Sequence, residues 1–202
     1  MKIINHFEQV IDGIISEGYA IVDDFLGADL QTRLRYRLLE HFREGELHLA
    51  GVGKNIEFQK DKAVRRDQVY WLAEKGENKD ESEFLNLIQL FMDYLNSNCF
   101  TALNSFECHY ALYQPGAFYK RHLDQFRQDD SRKFSLICYL NENWKLMDGG
   151  ELSLFLAEGE KQIAPIGGRL VCFESGKIEH EVKETQRERL SITGWLKTGG
   201  LL

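Results

Sequence analysis

The chain has 202 residues, 43% of them hydrophobic, and a formal net charge of -7. That length and apolar content suit a single domain with a real core. The basic residues are scattered among acidic ones, which excludes the electrostatic footprint of a nucleic-acid binder, and no apolar run approaches the roughly 18 residues of a membrane span.

The opening MKIINHFEQV lacks the charged start and continuous apolar core of a signal peptide, so the expected location is cytoplasmic. Ile3, Ile4, Phe7, Val10, Ile11, Ile14 and Ile15 recur at helical spacing; the period breaks at Gly18, and SEGYAIVDD reads as a short strand. A second helix is expected from about Asp29 to Arg43, with Leu30, Leu34, Leu38 and Phe42 on one face. The stretch from Glu44 to Asp67 is rich in glycine and charge and keeps no period, so it reads as a long loop or an irregular hairpin. Loops of that length in compact domains are usually functional or disordered. VYWLAE resumes as a strand. DESEFLNLIQLFMDYLNSN is a third helix, opened by acidic residues, with Phe84, Leu87, Ile88, Phe91, Tyr94 and Leu95 as its apolar stripe.

From Ser105 the period changes to two. SFECHYALYQP, KFSLICYLN, GELSLFLA, KQIAPI, RLVCFES and RLSITGWLK read as successive strands, separated by turn signals at Pro115-Gly116, Asp148-Gly149-Gly150 and Gly167-Gly168. Helices therefore lead and strands follow, the order of an α+β domain in which helices cover one face of a mainly antiparallel sheet or sandwich. The expected division is one domain over 1–202, with helical support over 1–100 and a β-core over 105–198. Cys99, Cys108, Cys138 and Cys172 have no CxxC spacing and read as buried thiols of a reducing compartment.

The chemistry-bearing pattern starts in YKRHLDQF. Residues two apart on a strand share a face, so His122 and Asp124 can aim an imidazole nitrogen and a carboxylate at one point. By itself HxD is a weak signal. A third ligand is offered by His180 in GKIEHEV, which could also simply cap a surface turn. Two histidines and one carboxylate leave part of an octahedral ion open, as in non-haem Fe(II) oxygenases; a three-histidine zinc site fits less naturally. Arg189 opens RLSITGWL, and a short turn between neighbouring strands would set it beside His180. An arginine pointing into an interior needs an anionic partner, and a carboxylate ligand would satisfy it; a surface ion pair is the plainer alternative. Thr193 and Trp195 share its parity on the strand.

Taken together, YQPGAFYKRHLDQF, SLICYLNENW, GGELSLF, IEHEV and RLSITGW, with VRRDQVYWL upstream, resemble the iron and 2-oxoglutarate-dependent dioxygenases. Within them, the match is to the catalytic domain of the hypoxia-inducible-factor prolyl hydroxylases and their bacterial relatives that hydroxylate elongation factor Tu. The similarity runs from about Val64 to Leu196. It implies a double-stranded β-helix, a distorted jelly roll, with the N-terminal helices packed on its major sheet. It implies that His122, Asp124 and His180 bind Fe(II). Arg189 and Tyr139 would hold the distal carboxylate of 2-oxoglutarate, Tyr113 would lie near its chelating end, and Thr193 would line the same pocket. Arg132 and Trp195 match residues beside the substrate, and Arg65 and Asp67 match the end of a loop that closes over the bound peptide. Ascorbate dependence, and hydroxylation of a prolyl residue with O2 consumed and succinate and CO2 released, are family traits. The matching segment is preceded by no long regulatory region or finger module, and little follows Trp195, so the resemblance points to the bacterial type, with elongation factor Tu as the leading substrate.

On their own residues, Tyr113, Tyr139 and Trp195 read equally as packing. His6, His41 and His48 are expected to face solvent, and His109 to be a satisfied core or edge histidine. The long stretch 44–67 favours a peptide substrate over a small metabolite. A hydroxylase of a small molecule or free amino acid, and a jelly-roll binding module without catalysis, are the competing classes.

Overall fold

The structure, a computed structural model, describes residues 2–51, 63–73, 78–125 and 129–199. The three expected helices form where their apolar stripes lie: α1 Lys2–Glu17, α2 Ala28–Arg43 and α3 Lys79–Cys99. Helix α1 ends because Gly18 takes a positive φ of 77° while its N–H bonds the Ile14 carbonyl at 3.0 Å. At the start of α3, the Asn78 side chain accepts from the Asp80 and Glu81 amides at 2.8 and 3.3 Å. Leu34, Leu38, Phe84, Ile88 and Phe91 are then fully buried between the helices and the sheet. Burial of each such side chain is worth about 1.5–3 kcal/mol.

Eleven strands follow in chain order among the described residues: β1 Tyr19–Val22, β2 His48–Leu49, β3 Gln68–Trp71, β4 Ser105–Tyr113, β5 Tyr119–His122, β6 Arg132–Tyr139, β7 Leu152–Leu156, β8 Gly159–Ile163, β9 Leu170–Glu174, β10 Glu179–Val182 and β11 Arg189–Lys197. They form a seven-stranded sheet in the order β1-β9-β6-β11-β4-β3-β2 and a four-stranded sheet in the order β5-β10-β7-β8. All pairings are antiparallel. This is the α+β jelly roll expected above. The first hundred residues do more than support it, since β1 closes one edge of the major sheet and β3 and β2 build the other.

Alternation along the central strands separates two cores. Cys108, Tyr110, Leu112, Leu136, Cys138, Leu190, Ile192 and Leu196 point to the helices. Ala111, Tyr113, Ile137, Tyr139, Val171 and Phe173 point the other way, to meet Leu152, Leu154, Ile178 and Val182 of the minor-sheet side. The major sheet is thus covered on both faces, and the functional cavity opens from the inner one.

Several expectations change. His6 and His41 are buried, while His48 is exposed as expected. His41 stacks on Tyr70 at 3.9 Å, its Nδ1 meeting Glu46 at 2.5 Å and its Nε2 meeting Glu81 at 2.9 Å. Helical periodicity hid this because both carboxylates lie outside α2. The contact ties the start of the long 44–67 stretch to the helical layer. Its central part, 52–62, lies outside the described residues, as does Phe126 of YKRHLDQF. Three cysteines are buried, but Cys99 is exposed at the end of α3. No described helix is long and apolar enough to cross a membrane.

Candidate active site

Strand β5 stops at His122, and Asp124 follows on a bend. The two therefore converge through a turn of the chain and not through strand parity, a correction to the simple reading of HxD. His180 comes from β10, which runs antiparallel to β5 with His180 directly opposite His122. It is buried, so it is no cap of a surface turn. One ligand atom from each of His122, Asp124 and His180 falls within 4.8 Å of the others. Both imidazole Nε2 atoms stand 3.5 Å from a carboxylate oxygen, His122 from Oδ1 and His180 from Oδ2.

Each ring is turned by its other nitrogen. His122 Nδ1 donates to the Lys120 carbonyl at 2.7 Å and His180 Nδ1 to the Ile178 carbonyl at 3.2 Å, which leaves both Nε2 lone pairs facing the common point. The Ser135 hydroxyl donates to Asp124 Oδ2 at 2.7 Å, and the Ser175 hydroxyl lies 2.9 Å from that of Ser135. These oriented, deprotonated donors fit a divalent first-row ion with ligand positions to spare. A second cluster, His41, Glu44 and Glu46, is a poorer candidate because both His41 nitrogens are already engaged by carboxylates. Ser135→Ala is expected to weaken Fe(II) binding by about 10- to 100-fold while leaving all three candidate ligands in place, as read by anaerobic metal titration.

Arg189 arrives from the opposite sheet. It does not sit beside His180 across a short turn, because β10 belongs to the minor sheet and β11 to the major one. It pairs in register with Tyr113, and its guanidinium lies 4.9 Å from the Tyr113 ring and 5.1 Å from that of Tyr139. Only 1% of Arg189 is exposed, and it is the one buried arginine among the described residues. Its Nε donates to the Gly150 carbonyl at 2.9 Å, but its Nη2 and the Tyr139 hydroxyl have no described hydrogen-bond partner. No described carboxylate pairs with it, so a buried cation waits here for an anion. Tyr113 and Arg189 line a cavity of about 600 Å³ that also reaches the three candidate ligands; Tyr139 lies buried beside Arg189 and is not on its wall.

The remaining candidates surround that cavity. Arg65 grips Asp67 with two hydrogen bonds of 2.7 and 2.6 Å and lies 4.1 Å over the Tyr119 ring, which in turn stacks on His122 at 3.6 Å. Asp67 is buried and off the cavity wall. The pair thus supports a candidate metal ligand from behind. Arg132 donates twice to Glu107, at 2.9 and 2.7 Å, and once to the Asp124 carbonyl at 3.2 Å, with its guanidinium 3.6 Å over the Trp195 ring. Thr193 and Trp195 line the cavity with Arg189, as their shared parity requires.

With this geometry in view, known proteins give the assignment. Residues 108–197 match the 2OG-Fe(II) oxygenase superfamily. The chain is 30% identical to prolyl hydroxylase EGLN3 of Mus musculus over 93% of its own length and 82% of that relative. The chain belongs to the 2OG-Fe(II) oxygenase superfamily. A Pseudomonas putida prolyl-4-hydroxylase superposes with a TM-score of 0.87 at 40% identity, covering 96% of this chain and 100% of that one. A Trichoplax adhaerens prolyl hydroxylase, solved with a hypoxia inducible factor peptide fragment, gives 0.86 at 25% identity over 97% and 90%. The chain spans about half the length of some curated relatives, 48% of Egl nine homolog 1 of Mus musculus, to which it is 29% identical.

Oxygenases of this superfamily use Fe(II), 2-oxoglutarate and O2, and the residues here suit that set. Burial alone would push the Asp124 carboxyl up, but His180, His122 and Ser135 outweigh it and hold it well below the usual carboxylate range. Burial lowers His180 to about 4, which keeps its imidazole neutral and available as a ligand. The same cause brings His109 to about 4. Both histidines are depressed in the folded state, so between pH ~6.5 and ~4 the unfolded chain binds the extra protons. The metal-free oxygenase is therefore expected to lose stability as pH falls through that window, by roughly 3 kcal/mol per histidine at its lower end, as read from denaturation midpoints.

Sequence reading missed Glu107, Ser135, Tyr119 and the unsatisfied state of His109. Glu107, His109 and Ser135 carry an available signal: they are polar residues at the same parity as Tyr113 on β4 and as Ile137 and Tyr139 on β6, hence on the cavity face.

Proposed function

We propose that this oxygenase is an Fe(II)- and 2-oxoglutarate-dependent prolyl 4-hydroxylase. Its substrate would be a proline within a cytosolic protein, with an elongation factor Tu loop as the leading candidate and ascorbate as a supporting reductant. One observation carries the reading: a cluster of two histidines and one carboxylate shares its cavity with a buried arginine that has no described carboxylate partner. The names of the Pseudomonas putida and Trichoplax adhaerens neighbours support the prolyl substrate.

In this reading His122, Asp124 and His180 hold the iron. Arg189, with Tyr139 beside it, receives the distal carboxylate of 2-oxoglutarate, and Tyr113 and Thr193 line its pocket. Burial raises the Tyr113 and Tyr139 phenols, so both stay protonated and able to donate. Iron, co-substrate and O2 together supply the oxidising power for an unactivated C–H bond, with succinate and CO2 as co-products. The chain's own task is placement and exclusion. Asp124 is locked by Ser135 and by the Arg132 grip on its backbone, and His122 by the Tyr119 stack, so the ligands need little rearrangement on loading. Leu152, Ile137 and Val182 give the cavity a dry lining. Trp195 and Arg132 stand at the cavity where the proline would be presented.

The test is incubation with Fe(II), 2-oxoglutarate, ascorbate and air, offering purified elongation factor Tu, a proline-bearing peptide and free proline in parallel. Fragment masses should place one added oxygen on one prolyl residue of a polypeptide. Turnover of free proline alone, or succinate without a modified proline, would remove the protein substrate.

A further inference from the structure

His109 was expected to be a satisfied core histidine. It is buried, with 3% exposed, yet its Nδ1 has no hydrogen-bond partner among the described residues, and its ring forms part of the cavity wall. A buried nitrogen left unpaired carries its full desolvation cost, which is a reason to look for what completes it on binding.

Its neighbours narrow the answer. Trp71 on β3, His109 on β4 and Thr193 on β11 form one row across the major sheet, each directly opposite the next. The His109 ring lies 4.8 Å from that of Trp71 and 5.4 Å from that of Trp195, whose Nε1 is likewise buried without a partner. Indole nitrogen only donates, whereas an uncharged imidazole offers one donor and one acceptor. Burial holds His109 in that uncharged form. The pair matches a peptide group, which has an N–H to give and a carbonyl to receive; a carboxylate would present acceptors alone. The arginines that line the cavity among the described residues are already committed. Arg65 is held by Asp67 and Arg132 by Glu107, and Arg189 is assigned to the co-substrate. Among the described residues, a free amino acid would find no uncommitted arginine for its carboxylate.

Resting on the prolyl hydroxylase reading, we infer that His109 is a substrate-positioning residue whose imidazole, with the Trp195 indole beside it, hydrogen-bonds a backbone amide flanking the target proline. It makes the enzyme selective for peptide-bonded over free proline.

The experiment measures steady-state hydroxylation of a short synthetic peptide by the iron-loaded enzyme, comparing wild type with His109→Phe and His109→Gln. The phenyl ring keeps the aromatic packing and removes both polar atoms; the amide restores a donor and an acceptor. His109→Phe should raise the peptide KM by roughly tenfold, with kcat, 2-oxoglutarate affinity and peptide-independent succinate formation unchanged, and His109→Gln should recover part of the loss. Two further peptides carry an ester in place of the amide N–H at the residue before or after the proline. One of them should lose a similar factor with wild type and nothing more with His109→Phe. If wild type hydroxylates the peptide and His109→Phe keeps its KM, or the ester penalties are the same in both enzymes, the His109 assignment is overturned and prolyl hydroxylation stands. A wild type that prefers free proline overturns both.

Discussion

Arg189→Met should weaken 2-oxoglutarate binding by roughly 100- to 1,000-fold and, without co-substrate, raise the melting temperature. The two effects have opposite signs because the same charge serves opposite masters. In the free protein the guanidinium is buried with one carbonyl contact at Gly150 and no described carboxylate partner. Replacing such a charge by an apolar side chain of similar length typically stabilises a fold by about 1–4 kcal/mol, a few degrees for a chain of this size. Once an acid occupies the pocket the balance reverses. Removing one partner of a buried, hydrogen-bonded pair costs about 3–5 kcal/mol, and about 1.4 kcal/mol is a factor of ten. Thermal denaturation with and without 2-oxoglutarate reads both numbers. A variant that melts lower than wild type in buffer alone would mean that Arg189 has a partner in the free protein and that the pocket is not an acid site.

Asp124→Ala is expected to abolish hydroxylation and to reduce Fe(II) affinity by more than the roughly 100-fold that loss of an outer hydrogen-bond partner costs. Asp124 contributes the only carboxylate of the cluster, and both imidazole Nε2 atoms lie 3.5 Å from it. Its removal also strands the Ser135 hydroxyl, which is buried and aimed at the carboxylate. The metal-free variant should therefore lose about 1–3 kcal/mol of stability, a modest change beside the loss of metal. Because Arg189 reaches the cavity from the other sheet, weak 2-oxoglutarate binding should survive in this variant. Anaerobic metal titration and calorimetry of the co-substrate separate the two losses.

Much of this was legible in the chain because periodicity reports faces. The alternation in RLSITGWLK put Arg189, Thr193 and Trp195 on one side, and all three line the cavity. The apolar stripes of the three helices likewise set their limits to within a residue or two. Local pattern cannot report which strands face each other. Arg189 was therefore expected next to His180 in one sheet, when it faces the site from the other. Nor does it report where a strand ends: β5 stops at His122, and Asp124 is delivered by a bend held through Ser135 and Arg132. His41 and His109 failed for a related reason. Neither is decided by strand or helix parity: His41 meets carboxylates that lie outside α2, Glu46 and Glu81, and His109 Nδ1 has no hydrogen-bond partner among the described residues.

The most direct measurement is an anaerobic equilibrium dialysis of Fe(II) and 2-oxoglutarate together against wild type, His122→Ala/His180→Ala and Arg189→Met. The arrangement described here requires one iron and one 2-oxoglutarate per wild-type chain, loss of iron from the double-histidine variant, and loss of 2-oxoglutarate with iron retained in Arg189→Met. Iron held as tightly without His122 and His180, or 2-oxoglutarate held as tightly without Arg189, would contradict it.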